Sequence, residues 1–255
     1  MTRPIALVTD FGESDWFVAA MKGVILSVNP GAAIVDISHN IPAGGISAAA
    51  FTLLVCHSYF PKGTIFVAVV DPGVGSSRAA IAVKAGPYFF VGPDNGVLSP
   101  VIDNYAKPEL RALRNPKFFL KNVSATFHGR DIFAPVAAHL SKGVAFEKLG
   151  PKIKDIVRLK IPLAQEADNK TTGRILYIDH FGNAITNIQS SLVSGRIKHV
   201  FVKGRKVPIV SCYADVDEGK FLAVKGSCGF LEISVNKGNA AKKIKLKIGD
   251  KVEIT

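Results

Sequence analysis

The 255 residues include only three cysteines, two methionines and one tryptophan. Cys56, Cys212 and Cys228 are odd in number and far apart, so the chain carries no disulfide framework and no CxxC metal spacing; reduced thiols are expected. HExxH is missing as well, and no metal is expected. No apolar run approaches the ~20 residues needed to span a bilayer. The run Ile5-Ala6-Leu7-Val8 breaks at Thr9-Asp10, too short for a secretory leader. A soluble, cytoplasmic protein without a membrane partner is expected. A Walker-type loop is absent too. Charge is modest at 20% against 48% apolar residues, which excludes disorder as the main state and predicts a sizeable core. The net charge of +12 invites a nucleic-acid partner, but no aromatic-interleaved basic motif accompanies it. Its densest run, Lys242 to Lys247, alternates like a strand with one wet face. No nucleic-acid partner is expected.

The first part of the chain alternates strand and helix patterns. Ile5 to Thr9, Ala33 to Ile37, Thr64 to Val70, Ala79 to Lys84 and Tyr88 to Gly92 read as strands, the second and third of them buried. Asp15 to Val28, Ile46 to Ser58 and Ile132 to Lys142 read as helices, with a short one after Gly96. Asn29-Pro30-Gly31 stops the first, and Pro135 is tolerated in the first turn of the last. Beyond a polar stretch follow short strands with glycine turns: Gly173 to Ile178, Ile197 to Val202, Lys206 to Val210, Phe221 to Val224, Phe230 to Val235 and Lys251 to Ile254. The fold class is α/β: an N-terminal α/β domain (1–162) with a central, mostly parallel sheet, a linker (163–172), and a smaller C-terminal all-β, barrel-like domain (173–255).

In such a fold, functional residues lie at the carboxyl ends of the strands. Asp10 and Asp71 each directly follow an apolar strand run. Four clusters have two readings each. Asp10-Phe11-Gly12 matches a kinase metal tripeptide, but no catalytic loop or lysine strand accompanies it. Gly73-Val74-Gly75-Ser76-Ser77 is either a close backbone approach to a ligand or an ordinary turn. His128-Gly129-Arg130-Asp131 is either a site or a capping aspartate with surface neighbours. Asp179-His180-Phe181-Gly182-Asn183, followed by Thr186-Asn187, is either a binding loop or a set of turn formers.

The ordered series is more specific than its parts. Thr9-Asp10-Phe11-Gly12, Met21-Lys22-Gly23, Val35-Asp36-Ile37-Ser38-His39 and Val69 to Arg78 are followed by Gly92-Pro93-Asp94-Asn95-Gly96, Thr126 to Pro135 and Asp179 to Asn187. Taken together it closely resembles the S-adenosylmethionine hydroxide adenosyltransferase (S-adenosylmethionine hydrolase) family, relatives of the fluorinating and chlorinating enzymes. The resemblance spans nearly the whole chain.

It implies hydrolysis of S-adenosylmethionine to adenosine and L-methionine by water or hydroxide attacking the ribose 5′ carbon, with no cofactor beyond that substrate. It also implies a homotrimer whose sites lie between the N-terminal domain of one subunit and the C-terminal domain of its neighbour. Asp71, Arg78 and His128 take the catalytic places: imidazole and carboxylate orient the water and take up its proton, and the guanidinium fixes them. Asp10 is expected on the ribose hydroxyls and Asp15 on the methionine ammonium, with Val74, Phe127 and Gly129 around the ribose. Asp179 and Asn183 are expected on the methionine moiety and Phe181 beside the adenine. Tyr213, Ser227 and the backbone from Val235 to Lys237 complete the set.

The sequence departs from the pattern at two of these places. Ala43-Gly44-Gly45 stands where relatives often carry an aromatic, and Cys228 where halogenating relatives carry an arginine. Those relatives also have an insertion between the strands Ala79 to Lys84 and Tyr88 to Gly92, and they lack the Asp-Arg-His set. An ionised Asp71 suits water and repels a halide. The rival readings are a non-catalytic protein binding S-adenosylmethionine or adenosine, and a halogenase using the same substrate.

Overall fold

The computed structural model describes residues 3–167, 170–193 and 197–254. The chain divides into two compact units, Met1–Lys160 and Ile161–Thr255. The first runs β1 (Ile5–Thr9), α1 (Phe17–Val28), β2 (Ile34–Ser38), α2 (Ile46–Cys56), β3 (Ile65–Val69), β4 (Ala80–Ala85), β5 (Tyr88–Pro93), α3 (Ser99–Ile102), β6 (Glu109–Ala112) and α4 (Ala134–Ser141). Its six-stranded sheet has the order β2-β1-β3-β5-β4-β6. The pairs β1–β2, β1–β3 and β3–β5 are parallel, whereas β4 is antiparallel to β5 and β6.

Every residue of β1 and β3 is buried, as continuous apolar runs in the middle of a two-sided sheet must be. Ile5, Leu7, Ile65, Val67 and Val69 share a core with Met21 and Ile25 of α1 and with Val136, Ala137 and Leu140 of α4. On the other face Phe66 stacks on Phe90 at 5.2 Å and meets His57, just beyond α2, edge-on. α1 ends where expected: Asn29 closes its last turn on the Ile25 carbonyl, and its side chain donates to Ser141 Oγ of α4 at 2.7 Å. β2, expected to be buried, is half exposed, with Val35 42% accessible. The reason is its place at the sheet edge, with strand neighbour β1 on one side. β6 went unread because four residues with two buried positions carry too little pattern.

The connections place the site. β1 leads through α1 to β2 on one side, and β2 leads through α2 to β3 on the other. The carboxyl ends of β1 and β3 therefore flank a switch point, the crevice where open α/β sheets hold ligands. Asp10 and Asp71 stand there.

The second unit holds β7 (Gln165–Ala167), β8 (Lys170–Ile178), β9 (Ala184–Gln189), β10 (His199–Val202), β11 (Arg205–Pro208), β12 (Phe221–Lys225), β13 (Phe230–Val235), the short helix α5 (Ala240–Ile244) and β14 (Lys251–Ile254). The antiparallel order is β11-β10-β14-β8-β9-β13-β12, and a bridge from Ile209 to Ala223 brings the two ends together into a nearly closed barrel. Three readings change here. Residues 165–167 and 170–172 of the stretch taken as linker pair as strands, while Asp168 and Asn169 lie outside the described residues. The Lys242 to Lys247 run is not a strand: the Asn239 side chain accepts from Lys242 N at 2.7 Å and caps α5, which ends at Lys245 with φ of 54°. Third, Thr186 and Asn187 are neither a binding loop nor a turn but part of the buried strand β9. Thr186 Oγ1 donates to the Leu231 carbonyl at 2.9 Å, and Asn187 Nδ2 donates to the Pro162 carbonyl at 2.6 Å.

Candidate active site

A hollow of about 380 Å³ opens at the switch point, lined by Asp10, Phe11, Phe17, Gly44, Val69, Asp71, Pro72, Val74, Thr126, Phe127, His128 and Gly129. That volume lies in the ~300–1,000 Å³ range of small-molecule sites. Asp10 is tied by one oxygen, Oδ2 accepting from Gly44 N at 2.8 Å. The apolar wall that Gly44 does not supply is built from neighbouring elements. Phe11, Phe17 and Phe127 contact one another at 5.4 to 5.7 Å, and Trp16 leans on Phe17 at 4.5 Å. Sequence reasoning left Phe11, Phe17 and Thr126 off the candidate set, although an aromatic pair flanking the Asp10 loop was a visible signal. Asp15 is exposed and does not line the hollow.

The residues from Asp71 to Arg78 leave β3 and return to β4, so the guanidinium folds back on the carboxylate. Arg78 Nε donates to Asp71 Oδ1 and Oδ2 at 3.0 and 2.9 Å, and Nη2 also donates to Oδ2. The same Nη2 lies 2.7 Å from His128 Nδ1. Both residues of the ion pair are half-buried, with side chains only 10% and 5% accessible. Gly75 makes this convergence possible. At φ of 78° its missing Cβ would sit 2.4 Å from the Ala125 carbonyl oxygen, so the loop presses on the segment that leads to His128. The close approach at Gly75 is to the Ala125 backbone, while Val74 lines the hollow.

His128 precedes a π-helical turn, Gly129–Phe133, that feeds α4 with Pro135 near its start. Asp131, fully buried, accepts from Ser124 N and Arg130 Nε and anchors that turn. Burial, and next the Arg78 charge, push the His128 pKa below its ordinary 6.5, against the pull of Asp71 and Asp131. A guanidinium has donors only, so His128 Nδ1 is an acceptor, and the neutral ring carries its proton on Nε2.

In the second unit, the β8–β9 turn carries Asp179, Phe181 and Asn183. Asp179 accepts from Asn183 N at 2.8 Å and Asn183 Nδ2 at 3.0 Å, and Phe181 is 70% exposed. Tyr213 lies close enough to Asp179 for that charge to help raise its pKa, after burial and Glu232, up to about 12. Ser227 is exposed in the turn between β12 and β13, beside Cys228, whose thiol burial pushes up. Val235 is buried at the end of β13, and Lys237 pairs through Nζ with Glu218 at 3.1 Å. Glu232 was missed from sequence, since a lone acid in an alternating strand reads as a wet-face residue. Among the described residues, no three His, Cys, Asp or Glu side chains converge as a metal site, and no helix is long and apolar enough to cross a membrane.

A parallel-centred α/β unit with a half-buried Asp-Arg-His cluster at its switch-point hollow, followed by an antiparallel barrel, defines a class of small-molecule-binding α/β proteins with an appended β domain. The chain belongs to the SAM hydroxide adenosyltransferase family: residues 5–150 match the model of its N-terminal domain and residues 173–253 that of its C-terminal domain. It is 40% identical to an (R)-S-adenosyl-L-methionine hydrolase of Thermus thermophilus over 99% of each chain. It is 29% identical to a fluorinase of Nocardia brasiliensis, covering 99% of this chain and 97% of the other. A solved structure from Thermotoga maritima, described as an uncharacterized conserved protein, superposes with a TM-score of 0.93 at 40% identity, covering 98% of this chain and 99% of that one.

Proposed function

We propose that this protein hydrolyses S-adenosyl-L-methionine to adenosine and L-methionine. The water oxygen bonds to the ribose 5′ carbon as the carbon–sulfur bond breaks. Its electron pair goes to sulfur, leaving a neutral thioether. The observation that carries the reading is the single guanidinium nitrogen that holds both Asp71 and His128 at the wall of the hollow. The hydrolase relatives and the family match support it.

The roles differ from a plain two-base scheme. With Nδ1 engaged by Arg78, His128 serves as an Nε2–H donor that holds the attacking oxygen. Asp71 Oδ1, with one Arg78 bond against two on Oδ2, takes the water's proton and returns it to solvent. The sulfonium needs no general acid, and the π faces of the aromatic wall attract its positive charge. Asp10 Oδ1 is the oxygen for a ribose hydroxyl. Asp15, Asp179, Phe181, Asn183, Tyr213, Ser227 and the Val235–Lys237 backbone remain the proposed outer contacts. The proposed assembly is a homotrimer, working in the cytoplasm beside its substrate without any further cofactor.

The test is incubation with S-adenosylmethionine and chromatography, with and without added chloride or fluoride. Adenosine and methionine in both arms are expected. A 5′-halo nucleoside would replace this reading by halogenation, and tight binding without product by a sequestering role.

A further inference from the structure

The stretch Gly92-Pro93-Asp94-Asn95-Gly96 closes β5 outside the hollow, yet it reaches the peptide that carries Asp71. Val70 is fully buried, and the register pairs of β3 stop short of it, at Val69 against Thr9 of β1 and at Val67 against Val91 of β5. The Val70 carbonyl therefore has no strand residue opposite it, and a buried carbonyl needs a partner. The Asn95 side chain supplies one, Nδ2 donating to that carbonyl at 2.9 Å. The other end of the same amide is occupied too, Oδ1 accepting from Val97 N at 3.2 Å. Held at both ends, the amide has one orientation.

The Val70 carbonyl and the Asp71 amide nitrogen share one rigid peptide plane, so fixing the first aims the Cα of the second. The residue before Asn95 grips the far end of the same loop. Asp94 N donates to the Ala79 carbonyl at 2.9 Å, and that carbonyl also accepts from Arg78 Nη1 at 3.4 Å. Two consecutive residues thus hold the point where β3 releases Asp71 and the point where β4 receives the chain after Arg78. Residues 72–77 between them are exposed or half-buried. The turn after β5, packed against the sheet, is the firmer reference for where carboxylate and guanidinium meet.

We propose that Asn95 is a positioning residue that sets Asp71 against Arg78 and so aims the Asp71 carboxylate at the attacking water. The inference rests on the function proposed above. Asn95 acts through the Val70–Asp71 peptide, so it bears on the chemical step, whereas nucleoside binding falls to Asp10 and the aromatic wall. Asparagine suits the task because one short planar group offers both a donor and an acceptor; an aspartate of the same shape has no donor when ionised.

The experiment uses the intact chain, with S-adenosylmethionine turnover, adenosine binding by calorimetry and thermal unfolding measured on each variant. Asn95→Ala is expected to lower kcat by about 10–100-fold, the cost of a misplaced reacting group, while adenosine affinity stays near that of the wild type. Asn95→Asp sets an oxygen against the Val70 carbonyl and loses at least as much kcat. In an Asp71→Asn background Asn95→Ala adds no further loss, because the carboxylate it aims is gone. Ser99→Ala is the control for general loosening. It removes a buried hydroxyl that donates to the Gly96 carbonyl and accepts from Leu159 N, both at 2.8 Å, so it should lower Tm and keep kcat. Unchanged kcat in Asn95→Asp overturns the proposal even if Asn95→Ala fails to fold. So do losses that multiply in the double variant, adenosine affinity that falls in step with kcat, or an equal loss of kcat in Ser99→Ala. A wild type that makes adenosine beside unaffected variants overturns only the positioning role. A wild type that makes none removes the functional reading along with it.

Discussion

The reacting centre depends on which lone pairs are free, and that can be checked one side chain at a time. Asp71→Asn keeps the shape of the carboxylate but cannot take a proton. Its kcat is expected to fall by about 10²–10⁴-fold, the usual range for a lost acid–base group, with KM little changed; steady-state kinetics on the purified variant checks this. His128→Ala should lose kcat as well, and undiminished adenosine output from it would sink the donor role. The pH profile follows from the same contact. A proton on His128 Nδ1 would face the Arg78 guanidinium, so the neutral ring is favoured in the fold, as the lowered pKa states. Between that lowered value and 6.5 the unfolded chain binds the proton and the folded one does not, so acid weakens the native arrangement and stability rises with pH. Activity is therefore expected to be full above pH 6.5 and to decline on the acid side with a midpoint below it. A kcat/KM titration showing a midpoint above 6.5 would contradict the geometry.

Among the elements, the turns do the positioning, and two glycines carry most of the constraint. At Gly182, φ is 86° and an added Cβ would lie 2.1 Å from the Asn239 side chain, the cap of α5. Gly182→Ala therefore strains the turn holding Asp179 and Asn183 and displaces a helix cap together. A loss of about 2–4 kcal/mol is expected from a left-handed non-glycine residue plus a damaged cap, read as a lowered Tm in thermal unfolding. Such turns also mark what the sequence discloses. Continuous apolar runs exposed β1 and β3, and the aspartates after them, because strands covered on both faces leave no other pattern. β9 was hidden because its middle carries Thr186 and Asn187, buried polar residues satisfied by distant carbonyls. The contact between the His128 ring and the Arg78 guanidinium was hidden for a related reason: it joins residues fifty positions apart. The family resemblance supplied Asp71, Arg78 and His128 as a set. Residue spacing alone placed Asp71 at a strand end, left the His128 cluster with an ordinary structural alternative and said nothing of Arg78, and Glu232 had no signal at all.

For the whole molecule, the proposed assembly makes a prediction that no single subunit can meet. If each site joins the N-terminal unit of one subunit to the C-terminal unit of the next, Asp71→Asn and Asp179→Ala damage different partners of one site. Refolding the two inactive variants together in equal amounts should then rebuild about a quarter of the sites, one half multiplied by one half, in a cyclic oligomer. Activity that stays at the level of the separate variants would place both halves within one subunit, and sedimentation of the wild type checks the trimer itself. The nearly closed barrel has a consequence of another kind. Sheets usually come apart from a rim strand inward, and a rim is also where foreign chains attach. In the second unit Val210 N reaches the Ala223 carbonyl at 2.9 Å, so the outermost strands β11 and β12 clasp each other. Peeling then has little purchase beyond the exposed three-residue strand β7, which pairs with β8 alone. This half of the protein should resist proteases as a block and surrender its slowest amide hydrogens all at once, while β2, at the rim of the other sheet, gives up its own early.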